Sequence, residues 1–189
     1  MYVVDSPYEI ANWRALVQWV LYIPHGIILQ ALRAVEGVVF FVYWLVFLFT
    51  GKLNPGLYGF LGMYERYSSR ATGFLVGFSE TYPGFDFTQG PVDNGAYPPI
   101  RLDLPGLPAT DPPRKAAANI VLAIPHYIVI AVFGIGAAVV ALIGWFAVLF
   151  TGRWPEGMRD FLVRFANYYY RVWTYVSMVQ TADYPRFGL

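Results

Sequence analysis

The chain has 189 residues, 57% of them apolar and only 13% charged, roughly half the ~25% charge of ordinary soluble domains. With 19% aromatics and a mean hydropathy of +0.46, it is not a disordered chain. A formal net charge of +1 argues against a nucleic-acid surface. The absence of cysteine excludes disulfide scaffolds, thiolate metal centres and cysteine nucleophiles.

Residues 1–13 read as an N-terminal tail. They lack a basic leader and no small-residue cleavage site follows, so the first apolar segment is expected to stay in the mature chain. The first apolar block runs from Leu16 to Thr50, interrupted only by Arg33 and Glu36; the second runs from Ala116 to Thr151 without a charge. A bilayer core takes about 20 helical residues, so each block is too long for one straight span and too short for two. Each holds a proline in its first third, Pro24 and Pro125, read as first-turn residues that start a helix. The expected spans are Pro24–Thr50 and Pro125–Thr151, with short interfacial pieces before them.

Thr-Gly-Lys (50–52) and Thr-Gly-Arg (151–153) end these helices. Glycine suits the left-handed stop, and the cation sits at the negative end of the dipole. A second helix follows in each half, over about 56–79 and 157–181. Its apolar stripe (Phe161, Phe165, Tyr168, Val172) is interrupted by Glu65, Arg66, Arg70, Arg164 and Arg171. It is read as the return arm of a helical hairpin, with a helix lying in the interface as the alternative. If each half crosses twice, both share one orientation; if each crosses once, they are inverted.

Between them, residues 86–113 form an extended, Pro-rich linker; from Glu80 to Pro113 there are eight of the fourteen prolines, which exclude a regular helix. Its aromatics suit a surface-hugging segment or a partner-binding strap.

The halves are a tandem repeat. Residues 14–78 align with 115–179 at a constant offset of 101, with about 19 identities in 65 positions. Shared hydrophobicity does not by itself bring Pro24-His25 onto Pro125-His126, Trp44 onto Trp145 and Arg70 onto Arg171 in register, so duplication explains the match. The organisation is thus all-α integral membrane, with membrane repeats at 14–85 and 114–187 giving about four long helices.

The repeat resembles a family of small bacterial, often actinobacterial, membrane proteins of unknown function that carry one or two copies. The motifs are Ile-Pro-His (23–25, 124–126), Leu-Phe-Thr-Gly-Lys/Arg (48–52, 149–153) and Tyr-Pro-x-Phe (82–85, 184–187). The resemblance implies fold and a multi-pass plasma-membrane location, and brings no activity, cofactor or catalytic residue. Repeat 1 departs from it by placing Arg33 and Glu36 inside the apolar run.

His25 and His126 are the only histidines and the only candidates for a haem or metal. Against that, each is expected near the interface, hydrogen-bonded to backbone or headgroup, because two histidines without carboxylate or thiolate company make a weak ligand set. Arg33 and Glu36, at i and i+3 near mid-block, are read as an intramembrane ion pair inside the bundle, or as a contact to a partner or transported ion. Their repeat-2 counterparts are Gly134 and Ala137, and Gly134 with Ala138 makes a small-xxx-small face for packing the two long helices. Arg70 and Arg171 are lipid-headgroup candidates, and Trp44 and Trp145 are read as interfacial belt residues. Gly134-x-Gly136 follows no strand and is not a dinucleotide fingerprint.

There is no phosphate loop, nucleophile elbow, His-Glu metal motif or facing carboxylate pair, so no enzyme is expected and no cofactor is assigned. The leading expectation is a non-catalytic accessory subunit of a larger bacterial membrane complex, with lipids and other membrane subunits as partners. The alternatives are a small transporter or lipid-binding protein with its site at the repeat interface, and an electron-transfer subunit using His25 and His126.

Overall fold

The computed structural model describes residues 1–181 and 183–189. In chain order they form β1 (Tyr2–Val4), α1 (Asn12–Thr50), α2 (Pro55–Val76), β2 (Ile100–Leu102), a 3₁₀ turn (Arg114–Ala118), α3 (Asn119–Leu122), α4 (Ile124–Thr151) and α5 (Glu156–Val176). The chain is mostly helical. Two segments, Asn12–Thr50 and Arg114–Thr151, are long and apolar enough to cross a membrane, and α2 and α5 are not.

The helix stops follow from local chemistry. Gly51 and Gly152 sit at φ 72° and 67°, and their N–H groups close the last turn on Phe47 and Val148. Asn54 opens α2 by accepting the N–H of Leu57 at 3.0 Å, with Pro55 in the first turn. The two starts differ. Pro125 stands in the first turn of α4 as expected, whereas Pro24 lies inside α1. Pro24 removes one backbone donor, yet the helix runs through it. The segment before it is anchored: the Gln18 amide donates to the Ser79 carbonyl at 2.6 Å, and Trp145 donates to the Ala15 carbonyl at 2.7 Å.

α1 and α4 lie antiparallel. The start of α1 meets the end of α4, where Asn12 donates to the Leu149 carbonyl, and the end of α1 meets the start of the second repeat, where Trp44 donates to the Ala117 carbonyl. α2 and α5 return along their own repeat's long helix and form a second layer. Each repeat is therefore a helical hairpin, but the repeats are inverted along the helix direction, which corrects the shared orientation expected of hairpins that cross twice. A pseudo-twofold perpendicular to α1 and α4 relates them.

The tail is not a free arm. β1 pairs antiparallel with β2, Val3 opposite Arg101, so a two-stranded sheet joins residues 1–13 to the linker in what was expected to be an all-α chain. The buried Arg159 guanidinium donates to the carbonyls of Ser6 and Pro7 at 2.8 and 2.9 Å. The linker is strapped over α2 in the same way: Arg66 donates to the carbonyls of Gly90 at 2.8 Å, Val92 at 2.5 Å and Thr88. α2 admits the strap through glycine. A Cβ on Gly62 would lie 2.9 Å from the Gly90 carbonyl oxygen, and one on Gly73 would lie 2.4 Å from Ile100. As a result α2 is buried on nearly every side.

Candidate functional site

The recurring motifs of each repeat converge on its histidine. His25 Nδ1 lies 2.7 Å from the Tyr67 hydroxyl, and its ring stacks on Phe85 at 4.6 Å with Tyr82 tilted against it. One repeat on, His126 Nδ1 lies 2.6 Å from the Tyr168 hydroxyl, stacked on Phe187 at 4.2 Å beside Tyr184. Tyr-Pro-x-Phe is thus a clasp that folds back over Pro-His. Both imidazoles are fully buried, and in neither does Nε2 find a hydrogen-bond partner among the described residues. The clasps are separate, each built from its own repeat, so the fold does not bring the histidines into one ligand set. Among the described residues no three metal-binding side chains cluster. The expected contact to headgroup or backbone is replaced by the buried tyrosine; the matched register of Tyr67 and Tyr168 was the available signal.

The charged candidates divide. Arg70 is 2% exposed and clamped by Asp86 and Asp93, both at 2.7 Å, with Asn94 at 3.0 Å. It holds the linker and is closed to a headgroup, which corrects the lipid-binding expectation. Burial alone would raise the Asp86 carboxyl, but hydrogen bonds from Thr88, Arg70 and Asn94 outweigh it and hold its pKa well below the usual range. Arg171 stays exposed, its guanidinium over the Tyr168 ring and 3.4 Å from the Arg186 carbonyl. The repeats diverge here because only the first has the linker to supply counter-charges.

Arg33 and Glu36 lie on the side of α1 that faces the second layer, yet they are absent from the ion pairs among the described residues. The expected intramembrane pair is not formed. The cleft they line is open, and its packing does not force one side chain onto the other. That cleft, about 560 Å³, lies between the repeats and is also lined by Tyr64 and Glu65 of α2, Tyr127 of α4 and Tyr169 of α5. Its exposed lining residues, Arg33, Tyr127 and Ala131, all belong to α1 and α4, which places the mouth between the long helices. Glu65 is 5% exposed, with the Tyr169 hydroxyl donating to it at 3.4 Å. Burial pushes its pKa up to about 8, and the charge of Glu36 adds to the shift, so Glu65 holds its proton at neutral pH. An adjoining apolar lobe of about 320 Å³, lined by Gly73, Ala137, Ala138, Leu162 and Phe165, shares Ser68, Tyr169 and Tyr170 with the first.

The small-residue face of α4 does a different job from the one expected. Gly134 faces Phe165 of α5 at ordinary contact distance, and Ala138 is exposed at the rim of the apolar lobe. The glycine that allows close approach is Gly144, where a Cβ would lie 2.0 Å from the Trp154 ring. Trp44 and Trp145 are not free belt residues either, since their indoles bond across the repeats.

A family model described as a domain of unknown function (DUF4389) matches residues 12–86 and 114–187. No curated protein and no solved structure matches the chain. The two matched segments coincide with the two repeats and cover most of the chain, which therefore belongs to that family in tandem duplicate.

Proposed function

We propose that this member of the family is a non-catalytic amphiphile-binding protein of the bacterial plasma membrane, with its site in the cleft between the repeats. The observation that carries the reading is the two-part lining of that cleft: an apolar lobe of small and aromatic side chains that adjoins, at Ser68, Tyr169 and Tyr170, a lobe holding Arg33, Glu36 and Glu65. A molecule with an acyl portion and an anionic head suits this division. The apolar lobe takes the chain. Arg33 at the mouth meets the head, and the protonated Glu65, held by the Tyr169 hydroxyl, offers a neutral donor behind it. No nucleophile or general base is required. Native mass spectrometry of protein extracted from its own membranes in mild detergent tests the reading. The expected result is an anionic amphiphile retained by the wild type and lost from Arg33→Glu. Wild-type protein that emerges free of amphiphile, or an unchanged complement in the variant, overturns it.

The accessory-subunit reading keeps one specific support. Phe87 and Val92 are 45% and 63% exposed on the strap over α2, a place where apolar side chains suit a protein partner. Stoichiometric copurification of another subunit, lost in Phe87→Asp with Val92→Asp, is its expected signature; persistent isolation as a lone chain counts against it.

A further inference from the structure

The geometry points to a seating in which α1 and α4 lie flat within one leaflet of a bilayer, side by side, with the pseudo-twofold along the membrane normal, rather than crossing it. Four observations lead there. First, the molecule has two unlike faces. The outward side of α1 (Leu16, Ile27, Val38) and of α4 (Ile128, Ile135, Leu142) is exposed and apolar along its length, with Gln30 the one polar exposed side chain in the α1 stripe. α2 and α5 carry no exposed large apolar side chain, those of the strap over α2 are confined to Phe85, Phe87 and Val92, and the outward stripe of α5 is Glu156, Asp160, Arg164 and Arg171.

Second, the linker crosses α2 at Arg66 and Arg70, on either side of Tyr67, which bonds His25 well inside α1, and residues 84–90 there are irregular and mostly exposed, including Thr88 and Gln89. With α1 upright, that backbone would sit at the depth of the hydrocarbon core, where lipid-facing irregular chain is not tolerated. With α1 flat, it faces water.

Third, α1 has 39 residues, about 58 Å at ~1.5 Å per residue, far beyond the ~30 Å of a hydrocarbon core. A helix lying in the interface has no such limit.

Fourth, the cations are shared between the two ends of the layer: Arg14 and Arg153 at one, Lys52, Arg114 and Lys115 at the other. An upright helix pair is oriented by an excess of cations on one side. A flat one carries cations at both ends to the same plane of anionic headgroups, as here. This seating replaces the multi-pass expectation. It stands apart from the cleft's ligand, although it would turn the mouth between α1 and α4 towards the acyl chains.

The native chain has no cysteine, so single cysteines report cleanly. Lys52→Cys and Arg153→Cys mark opposite ends of the layer, and Asp160→Cys marks the polar face. Full-length variants in native membranes are labelled with a membrane-impermeant maleimide before and after permeabilisation. Flat seating predicts that all three variants react from the same side. Reaction of the Lys52→Cys and Arg153→Cys variants from opposite sides shows a crossing pair and overturns the proposal. In vesicles of anionic and zwitterionic phospholipid, spin labels at Leu16, Ile27 and Phe49 should then show the same shallow depth. A maximum at Ile27 indicates a span. No lipid contact at any position indicates a face covered by a second copy. Either result overturns the proposal, and neither depends on whether the cleft holds an amphiphile.

Discussion

Trp44 and Trp145, equivalent residues of the two repeats, each donate an indole N–H into the other repeat, to the carbonyls of Ala117 at 2.9 Å and Ala15 at 2.7 Å. The pair fixes α1 and α4 antiparallel. Trp44→Phe and Trp145→Phe should each cost about 1 kcal/mol. Because the bonds lie at opposite ends of the layer, the double variant should show the sum. Thermal unfolding in detergent measures both, and a strongly non-additive double variant would show that the ends are coupled.

The duplication hides a volume exchange. Where repeat 1 has Tyr43 and Leu53, repeat 2 has Gly144 and Trp154, and the indole occupies the space that a side chain on Gly144 would take. Gly144→Ala should destabilise by about 1–3 kcal/mol through overpacking, and Trp154→Leu added to it should recover most of that loss. Lack of recovery would show that the indole bond to the Gly77 carbonyl, 2.8 Å, matters more than volume.

Arg70 and Arg171 align in sequence but should differ in consequence. Arg70→Leu strands Asp93, whose side chain is 3% exposed, and should cost about 3–5 kcal/mol. Arg171→Leu, at an exposed site, should cost little. Protease sensitivity of residues 86–96 in the Arg70 variant gives an independent readout of the released strap.

Glu65 makes stability fall as pH rises. Its folded pKa is about 8 against a reference of 4.5, so between those values the folded state keeps a proton that the unfolded chain has lost. Glu65→Gln should flatten the dependence of melting temperature on pH across that window. The variant should match the wild type near pH 4 and exceed it near pH 8. A wild type whose stability rises across the same range would mean that Glu65 is ionised in the fold.

The clasp is built on one polar pair. Tyr67→Phe leaves His25 Nδ1 buried without its partner and should cost about 1–3 kcal/mol. Joint replacement, His25→Phe with Tyr67→Phe, removes both polar groups and should cost less than the single change. Tyr168→Phe should repeat the effect in repeat 2.

The repeat, the helix stops and the two apolar stretches were legible in the sequence because each rests on short-range chemistry. Gly51 and Gly152 take the left-handed conformation on their own account, and a run of apolar residues declares its length without reference to neighbours. The motif residues of each repeat were equally visible, although not that they close over one imidazole. What the tertiary structure decided depends on residues far apart in the chain. Pro24 stays inside a helix because Ser79 and Trp145 anchor the segment before it. Arg70 became a structural anchor and Arg171 did not, because counter-charges arrive only with the linker. The inversion of the repeats, and with it the division into one apolar and one polar face, was set by the packing of α1 on α4. Both helices are apolar around most of their circumference, so nothing in their own pattern states which side meets protein.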